Sequence, residues 1–252
     1  NMVETEKQEF LSPHQCFIVY DKLTKQIAIS IRNRLSEKGV KGTIWDEKIF
    51  RENEIRLSNY NRLLILNKEI AEEYLANPSL KSKQLTEYVL YKREGRVASI
   101  VLKNEGIDYS ELYKKFAAPI EEFQKEVKAL EPEKQEKIKA LSSEEIVEAL
   151  AIIQKENTLA LPAKDSKVPK QEDKENKAVK LIKEYGFTIA GAAVGGAVGF
   201  ILPIPALTTL AALYGYEWFA NKKDAENCKQ LLLFDAAMNF EKELLDDFVN
   251  AK

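Results

Sequence analysis

The sequence contains a single histidine, His14, and only two cysteines, Cys16 and Cys228. One histidine rules out a histidine-rich metal site and argues against a Ser-His-Asp or Cys-His catalytic mechanism. Because the two cysteines lie far apart in apolar runs, we expect buried free thiols in a reducing compartment. The sequence also lacks a glycine-rich phosphate loop and a cluster of metal ligands. We therefore expect no metal and no tightly bound cofactor.

Neither sign of charge is in large excess, since 38 basic residues face 40 acidic ones and the formal net charge is −2. The sequence has no basic stripe with interleaved aromatic residues, so we expect no nucleic-acid partner. Residues 1–13 are polar and mixed in charge, which predicts a loose tail and no secretory signal peptide. These features favour a cytoplasmic location.

Charged side chains are missing altogether from residues 185–216, although 31% of the chain is charged. Within this segment Gly191, Gly195 and Gly199 recur every four residues, which places them on one face of a helix. Such a face lets a second helix approach almost to backbone contact. Since each glycine costs a helix roughly 1 kcal/mol relative to alanine, the repeat indicates close helix packing, within the chain or between copies.

Pro203 and Pro205 divide this neutral segment into two helical legs, predicted at 187–202 and 206–220. Each leg would be about 23 Å long, against a hydrocarbon core of about 30 Å. Three interpretations stay open: a helical hairpin that enters or re-enters a membrane, a single kinked spanning helix, and a helical hairpin buried in a soluble core. Aromatic residues near the ends of the segment favour the membrane, because amphipathic rings collect at its interfaces.

Strands and helices alternate through the first half of the chain. Short apolar runs predict buried strands at 16–20, 43–45, 63–66 and 97–102. An apolar repeat every four residues predicts the first helix, which ends at Gly39. Further helices are predicted within 47–58 and at 68–76 and 82–92. This alternation predicts an α/β fold with a parallel, doubly wound, flavodoxin-like sheet at 14–118.

The second half of the chain predicts an all-α module. Residues 119–178 read as charged helices and a linker, with a helix start at Ser142 that has good N-cap chemistry. Residues 179–252 comprise the glycine-zipper hairpin and an amphipathic helix at 224–251. That last helix is expected either to cover the hairpin or to join subunits.

One stretch of the first half carries a resemblance to a known family. A helix ending in L-x-x-x-G leads to a strand with a Trp-Asp signature, then an acidic loop and an apolar strand. The matching residues are Leu35, Gly39, Trp45, Asp46 and Phe50. Over about residues 15–104 the chain resembles a Toll/interleukin-1 receptor (TIR) domain. The resemblance implies a TIR-like fold, assembly into a homo-oligomer and binding to other TIR domains.

Some TIR domains are enzymes that cleave NAD at the nicotinamide bond with a glutamate on the helix after the third strand. The resemblance places Glu87 at that position, with Ser82 upstream and NAD as substrate. A carboxylate near the ribose hydroxyls stabilises the oxocarbenium-like transition state. The tryptophan and cysteine usual before this glutamate are absent, and Gln84 and Leu85 stand in their places. The alternative is an ordinary surface glutamate.

Three further residues near strand ends are candidates for ligand binding. Ligands bind parallel sheets at the carboxyl ends of the strands, which makes Tyr20 and Asp21 candidates. Asp21 is alternatively a cap for the following helix. Trp45 is a candidate platform for a nucleobase, and packing at the domain surface is its alternative role.

These observations lead to three hypotheses about function. In the first, a TIR-like assembly or sensing domain is coupled to an apolar glycine-zipper hairpin that associates with membrane, as in a bacterial immune or cell-death effector. In the second, the protein is a TIR-type NAD glycohydrolase with an anchoring or oligomerising C-terminal domain. In the third, it is a soluble interaction scaffold.

Overall fold

The computed structural model describes residues 14–77, 80–85, 87–142, 145–146, 148–150, 152–153, 156, 176–187 and 223–250. The predicted hairpin, with Gly191, Gly195, Gly199, Pro203 and Pro205, lies outside the described residues. The chain divides into two compact units. The first comprises Asn1–Ile107 and Leu232–Lys252, and the second Asp108–Leu231.

The first unit is an α/β fold, as the sequence predicts. Its elements are β1 (Gln15–Val19), α1 (Lys25–Glu37), β2 (Lys41–Trp45), α2 (Glu47–Glu52), β3 (Asn61–Ile65), α3 (Lys68–Leu75), β4 (Lys81–Gln84), β5 (Val89–Glu94) and β6 (Val97–Leu102). The six strands form one sheet in the order β2-β1-β3-β6-β5-β4. The pairs β1–β2, β1–β3 and β3–β6 are parallel, whereas β5 and β4 extend the sheet in antiparallel fashion.

Helices cover both faces of this sheet, which is why its central strands are nearly continuous apolar runs. On one face, Val19, Leu63 and Ile65 form a buried cluster with α3 and with residues of α2. The opposite face is covered by α1 and by the C-terminal helix, α7 (Asp224–Asn250). There Tyr91 packs against Phe240 of α7, with ring centroids 6.5 Å apart.

The predicted helix at 82–92 is wrong, because this stretch forms the antiparallel hairpin β4–β5. Ser82 lies opposite Lys92, and Gln84 lies opposite Leu90. Along the chain, the buried residues Val89 and Tyr91 flank the half-buried Leu90. This alternation has the period of a strand. The segment is also stabilised as a strand by pairing with the buried β6, and this pairing cannot be predicted from the residues of the segment alone.

The last part of α7 belongs to the first unit, which differs from the predicted grouping with the hairpin. Its buried residues from this part are Leu232, Leu233, Phe234, Ala236, Ala237, Phe240, Glu241, Leu244 and Phe248. The physical reason is that the sheet face carrying Tyr91 and Ile100 needs an apolar cover, and the stripe on α7 supplies it.

The second unit contains α4 (Tyr109–Lys128), α5 (Pro132–Lys139), α6 (Lys177–Glu184) and the start of α7. The boundary between the units falls after Ile107, whereas the sequence predicts the end of the first domain at residue 118. The predicted end lies inside α4, which continues through Pro119. The predicted helix start at Ser142 is confirmed. The amide of Ser142 donates to Glu145 Oε2 at 2.7 Å, and the amide of Glu145 donates to Ser142 Oγ at 3.1 Å.

Aromatic contacts organise the second unit. Phe123 is fully buried, and its ring centroid lies 4.8 Å from that of Phe187. Asn227 is also buried, and its Nδ2 donates to the Tyr113 hydroxyl at 3.5 Å. None of the helices in the described part of the chain combines the length and apolar composition that a bilayer crossing requires.

Candidate functional site

The carboxyl edge is defined here as the edge of the sheet at which the parallel strands β1, β2, β3 and β6 end. Tyr20 and Asp21 follow β1 directly, and Trp45 is the last residue of β2. Val89 at the start of β5 lies opposite Leu102 at the end of β6. The β4–β5 turn that carries Glu87 therefore lies at this same edge. Four of the five predicted catalytic and ligand-binding residues thus share one edge.

Tyr20 and Trp45 are joined through the backbone. The amide of Tyr20 donates to the carbonyl of Trp45 at 2.9 Å. The indole of Trp45 is half-buried and packs on Phe17 in the neighbouring strand, with ring centroids 4.9 Å apart and tilted by 42°. This contact gives Trp45 a packing role on the sheet face.

The carboxylate of Asp21 is bonded within the protein through both of its oxygens. Its Oδ1 accepts hydrogen bonds from the amides of Leu23 and Thr24 and from the Thr24 hydroxyl, each at 3.0 Å. Its Oδ2 accepts from the amide of Lys68 at 3.0 Å. Asp21 therefore orders the turn before α1 and ties it to the start of α3. The N-cap of α1 is Thr24, and no side chain caps that helix, so the predicted capping role of Asp21 is wrong. Its carboxylate instead links two segments of the fold.

Asn67 is a residue of this edge that the sequence interpretation missed. It is only 3% exposed, and its Oδ1 accepts from the amide of Ile70 at 3.0 Å, which caps α3. Its Nδ2 donates to the carbonyl of Tyr20 at 3.3 Å. The signal was available, because an asparagine between an apolar strand and a helical pattern is a preferred N-cap.

Glu87 lies in the turn between β4 and β5 and not on a helix, which corrects the predicted placement. Its side chain is exposed. Three strand spacings separate β1 from β5, so roughly 14 Å of sheet lies between the ends of these strands. Ser82 is exposed in the edge strand β4, opposite Lys92 and one strand farther away. The structure therefore brings Tyr20, Asp21 and Trp45 together, and it places Glu87 and Ser82 apart from them.

A second polar cluster, on the sheet face under α7, was also missed by the sequence interpretation. Glu241 is 2% exposed and accepts from Arg34 Nε at 2.7 Å and from Lys38 Nζ at 2.5 Å. Glu243 accepts from the Tyr91 hydroxyl at 2.9 Å. Burial of Tyr91, together with this carboxylate, raises the pKa of its phenol. Arg93 forms an ion pair with Asp247. These contacts fix α7 to α1 and to the sheet.

Among the described residues, no group of three or more histidine, cysteine, aspartate or glutamate side chains is arranged to hold a metal ion. No protein-family model, no curated protein and no solved structure matches this chain. The resemblance to TIR domains therefore stays a proposal, based on the residues quoted above.

Proposed function

We propose that the protein is a two-part effector of bacterial immunity or cell death. In this proposal a TIR-like α/β unit senses a signal by assembling with further copies of itself or with other TIR domains. The glycine-rich segment at 185–216 then associates with the inner membrane. The observation that carries the proposal is the attachment of α7 through Glu241, because α7 is the next element that the structure describes after the glycine-rich segment.

The two ends of α7 belong to different units, since residues 224–231 lie in the second unit and 232–250 in the first. A change in the sheet unit that displaces α7 is therefore passed along a single helix toward the segment that precedes it. This covalent continuity supports a mechanical link between sensing and the helical module.

The resting state of such a device must be stable. Phe234, Phe240 and Leu244 are almost completely buried, and each side chain of this kind contributes about 1.5–3 kcal/mol when removed from water. Spontaneous release of α7 is correspondingly rare. Assembly shifts the equilibrium only if the assembled state binds the released form more tightly, as any ligand-driven change requires.

Leakage of dye from liposomes tests this function. Purified full-length protein, assembled by raising its concentration, should release dye, and Gly195→Leu should abolish the release because the larger side chain blocks close helix approach. A serine substitution, Gly195→Ser, is the matched small-residue control and should keep most of the activity. Equal leakage from the Gly195→Leu protein would remove the glycine repeat from the mechanism.

A second candidate function is NAD hydrolysis through Glu87. It is favoured by the position of this exposed carboxylate at the carboxyl edge, where ligands bind in parallel sheets. NAD would then be a substrate and not a resident cofactor. Release of nicotinamide by the assembled protein should fall at least 100-fold in Glu87→Gln, a rough expectation for removing the group that stabilises the transition state. The exposed Glu37, at the end of α1, gives the control variant Glu37→Gln.

The two experiments also bear on the third function, a soluble interaction scaffold. A protein that neither releases dye nor turns over NAD, and that purifies as one monodisperse species without detergent, would support the scaffold over both alternatives.

A further inference from the structure

A cavity of about 500 Å³ lies against the sheet of the first unit, away from the carboxyl edge. Its floor is formed by Leu63 of β3 and Val97 of β6, near the start of the latter strand. Tyr74 of α3 and Phe50 of α2 form its sides. The size falls within the range of about 300–1,000 Å³ that is usual for small-molecule sites.

The fourth wall is residues 53–58, here called the strap, which form most of the connection between α2 and β3 and contain no helix or strand. Ile55 and Leu57 of the strap line the cavity, whereas Glu54 and Arg56, which alternate with them along the chain, are exposed. The strap is fixed near both ends. Asn53 Nδ2 donates to the carbonyl of Ile49 at 2.7 Å, and the guanidinium of Arg96 donates to the carbonyl of Leu57 at 2.7 Å.

Arg51 is the charged residue among those that line this cavity. Its Nε donates to Glu47 at 2.9 Å, and its two terminal nitrogens donate to the two oxygens of Glu73 at 2.6 and 3.4 Å. These hydrogen bonds raise the pKa of Arg51 and lower that of Glu73. All three side chains are exposed, so the pairs compete with water and contribute little net stability. Another carboxylate can therefore replace Glu73 on Arg51 at low cost.

We propose that this cavity binds a small amphiphile with a single carboxylate. The apolar body of the molecule lies between Phe50, Leu63 and Val97, and its carboxylate pairs with Arg51 in place of Glu73. An anion is preferred to a cation because Arg51 lines the cavity, whereas Glu47 and Glu73 are not among the residues that line it. The inference goes beyond the proposed function and does not depend on it.

The volume of the space, about 500 Å³, favours a small molecule over a peptide. Two strands, two helices and the strap all contribute to its wall. A helix or a strand from a partner needs an extended surface on which successive residues can dock.

Titration calorimetry on the full-length chain tests the proposal with three probes. Decanoate and decyltrimethylammonium are used below their micelle concentrations, and decan-1-ol is used below its solubility limit. Decanoate should bind one molecule per chain, at least about tenfold more tightly than the cation. Arg51→Gln should weaken decanoate binding about tenfold and leave decan-1-ol binding within about twofold. Arg56→Gln, which changes the exposed arginine of the strap, is the matched control and should alter neither.

A second pair of variants tests the location. Val97→Phe places a larger side chain in the cavity and should abolish binding of both decanoate and decan-1-ol. Circular dichroism checks that Val97→Phe is folded. If this variant does not fold, Ile55→Trp on the strap is used as the cavity-filling variant instead. The proposal is overturned if decanoate does not bind, if the cation binds equally well, or if Arg56→Gln weakens binding as much as Arg51→Gln. Binding that survives both filling variants would equally overturn it.

Discussion

The Nε of Arg34 donates a hydrogen bond to Oε2 of Glu241 at 2.7 Å, although 207 positions separate the two residues in the chain. Lys38, the C-cap residue of α1 one turn later, reaches the other oxygen at 2.5 Å. A carboxylate that is only 2% exposed needs such partners, because an unpaired buried charge is strongly destabilising. The pair therefore fixes the position of α7 along α1.

Glu241→Ala should lower the free energy of unfolding by about 1–3 kcal/mol. This loss of stability is smaller than the loss expected on removing one partner of a fully buried ion pair. The reason is that the side chains of Arg34 and Lys38 are 31% and 43% exposed and can be hydrated. Urea unfolding followed by circular dichroism measures the change. Asp246→Asn, at an exposed position of the same helix, should have almost no effect, and a similar loss there would contradict the specific role of Glu241.

Asp21→Ala should destabilise the fold by about 2–3 kcal/mol, since its carboxylate accepts four hydrogen bonds, three from its own turn and one from the first residue of α3. Asp46 provides a comparison, because it caps α2 through a single bond from the amide of Ile49. Asp46→Ala should cost only about 1 kcal/mol. If Asp21→Ala were as stable as the wild type, the structural role would fail and the ligand-binding hypothesis for this residue would regain support.

Gly42→Ala should destabilise the protein by about 1–3 kcal/mol through overpacking. A Cβ at this position of β2 would lie 2.8 Å from Cγ and 2.9 Å from Cα of Arg32 on α1. Because one of these atoms is backbone, α1 itself would have to move. Thermal unfolding compares this variant with Lys41→Ala, whose exposed side chain should be dispensable. Equal melting temperatures for the two variants would show that α1 is not in close contact with β2.

The free energy of unfolding should fall as the pH rises from about 9 to about 12. Burial raises the pKa of the Cys16 thiol to about 12, and a smaller effect of Arg62 opposes it. Burial likewise raises the pKa of Cys228 to about 12. Since both folded-state values exceed the ordinary value near 9, the folded protein holds these protons more tightly. This contribution to stability is complete below pH 9 and is lost above it.

Thiol labelling with a disulfide reagent at pH 8 gives a direct check. Neither cysteine should react in the folded protein, because both are buried and the thiolate is the reactive species. In urea-unfolded protein, both thiols should react with the reagent at once. Rapid labelling of either cysteine under native conditions would contradict the burial. In a separate test, Cys16→Ala should reduce the loss of the free energy of unfolding between pH 9 and 12.

The buried parallel strands were the easiest elements to predict. The predicted strand at 16–20 lies within one residue of β1 at each end, and the strand at 97–102 coincides with β6. The strand predicted at 63–66 starts two residues after β3 starts and ends one residue after β3 ends. A strand covered on both faces is an apolar run, so its signal is local. The four-residue repeat through Ile27, Ile31 and Leu35 likewise predicted the buried face of α1.

The β4–β5 hairpin was mispredicted because the choice between helix and strand there depends on a partner. Lys81–Gln84 has little apolar content of its own, and it pairs with β5, which in turn pairs with β6. Edge strands draw their stability from neighbours. The error also put Glu87 on a helix, although the turn that carries it lies at the expected edge of the sheet.

Local patterns of the sequence were enough to determine the α/β class, the parallel core strands and the helix start at Ser142, because each depends on neighbouring residues. The tertiary structure decided where the C-terminal helix packs and which polar groups are paired. An amphipathic helix can cover any apolar surface, and only the three-dimensional arrangement brings Glu241 to Arg34 and Asp21 to the amide of Lys68. Those contacts join residues that are distant in the chain, and no window of sequence contains both partners.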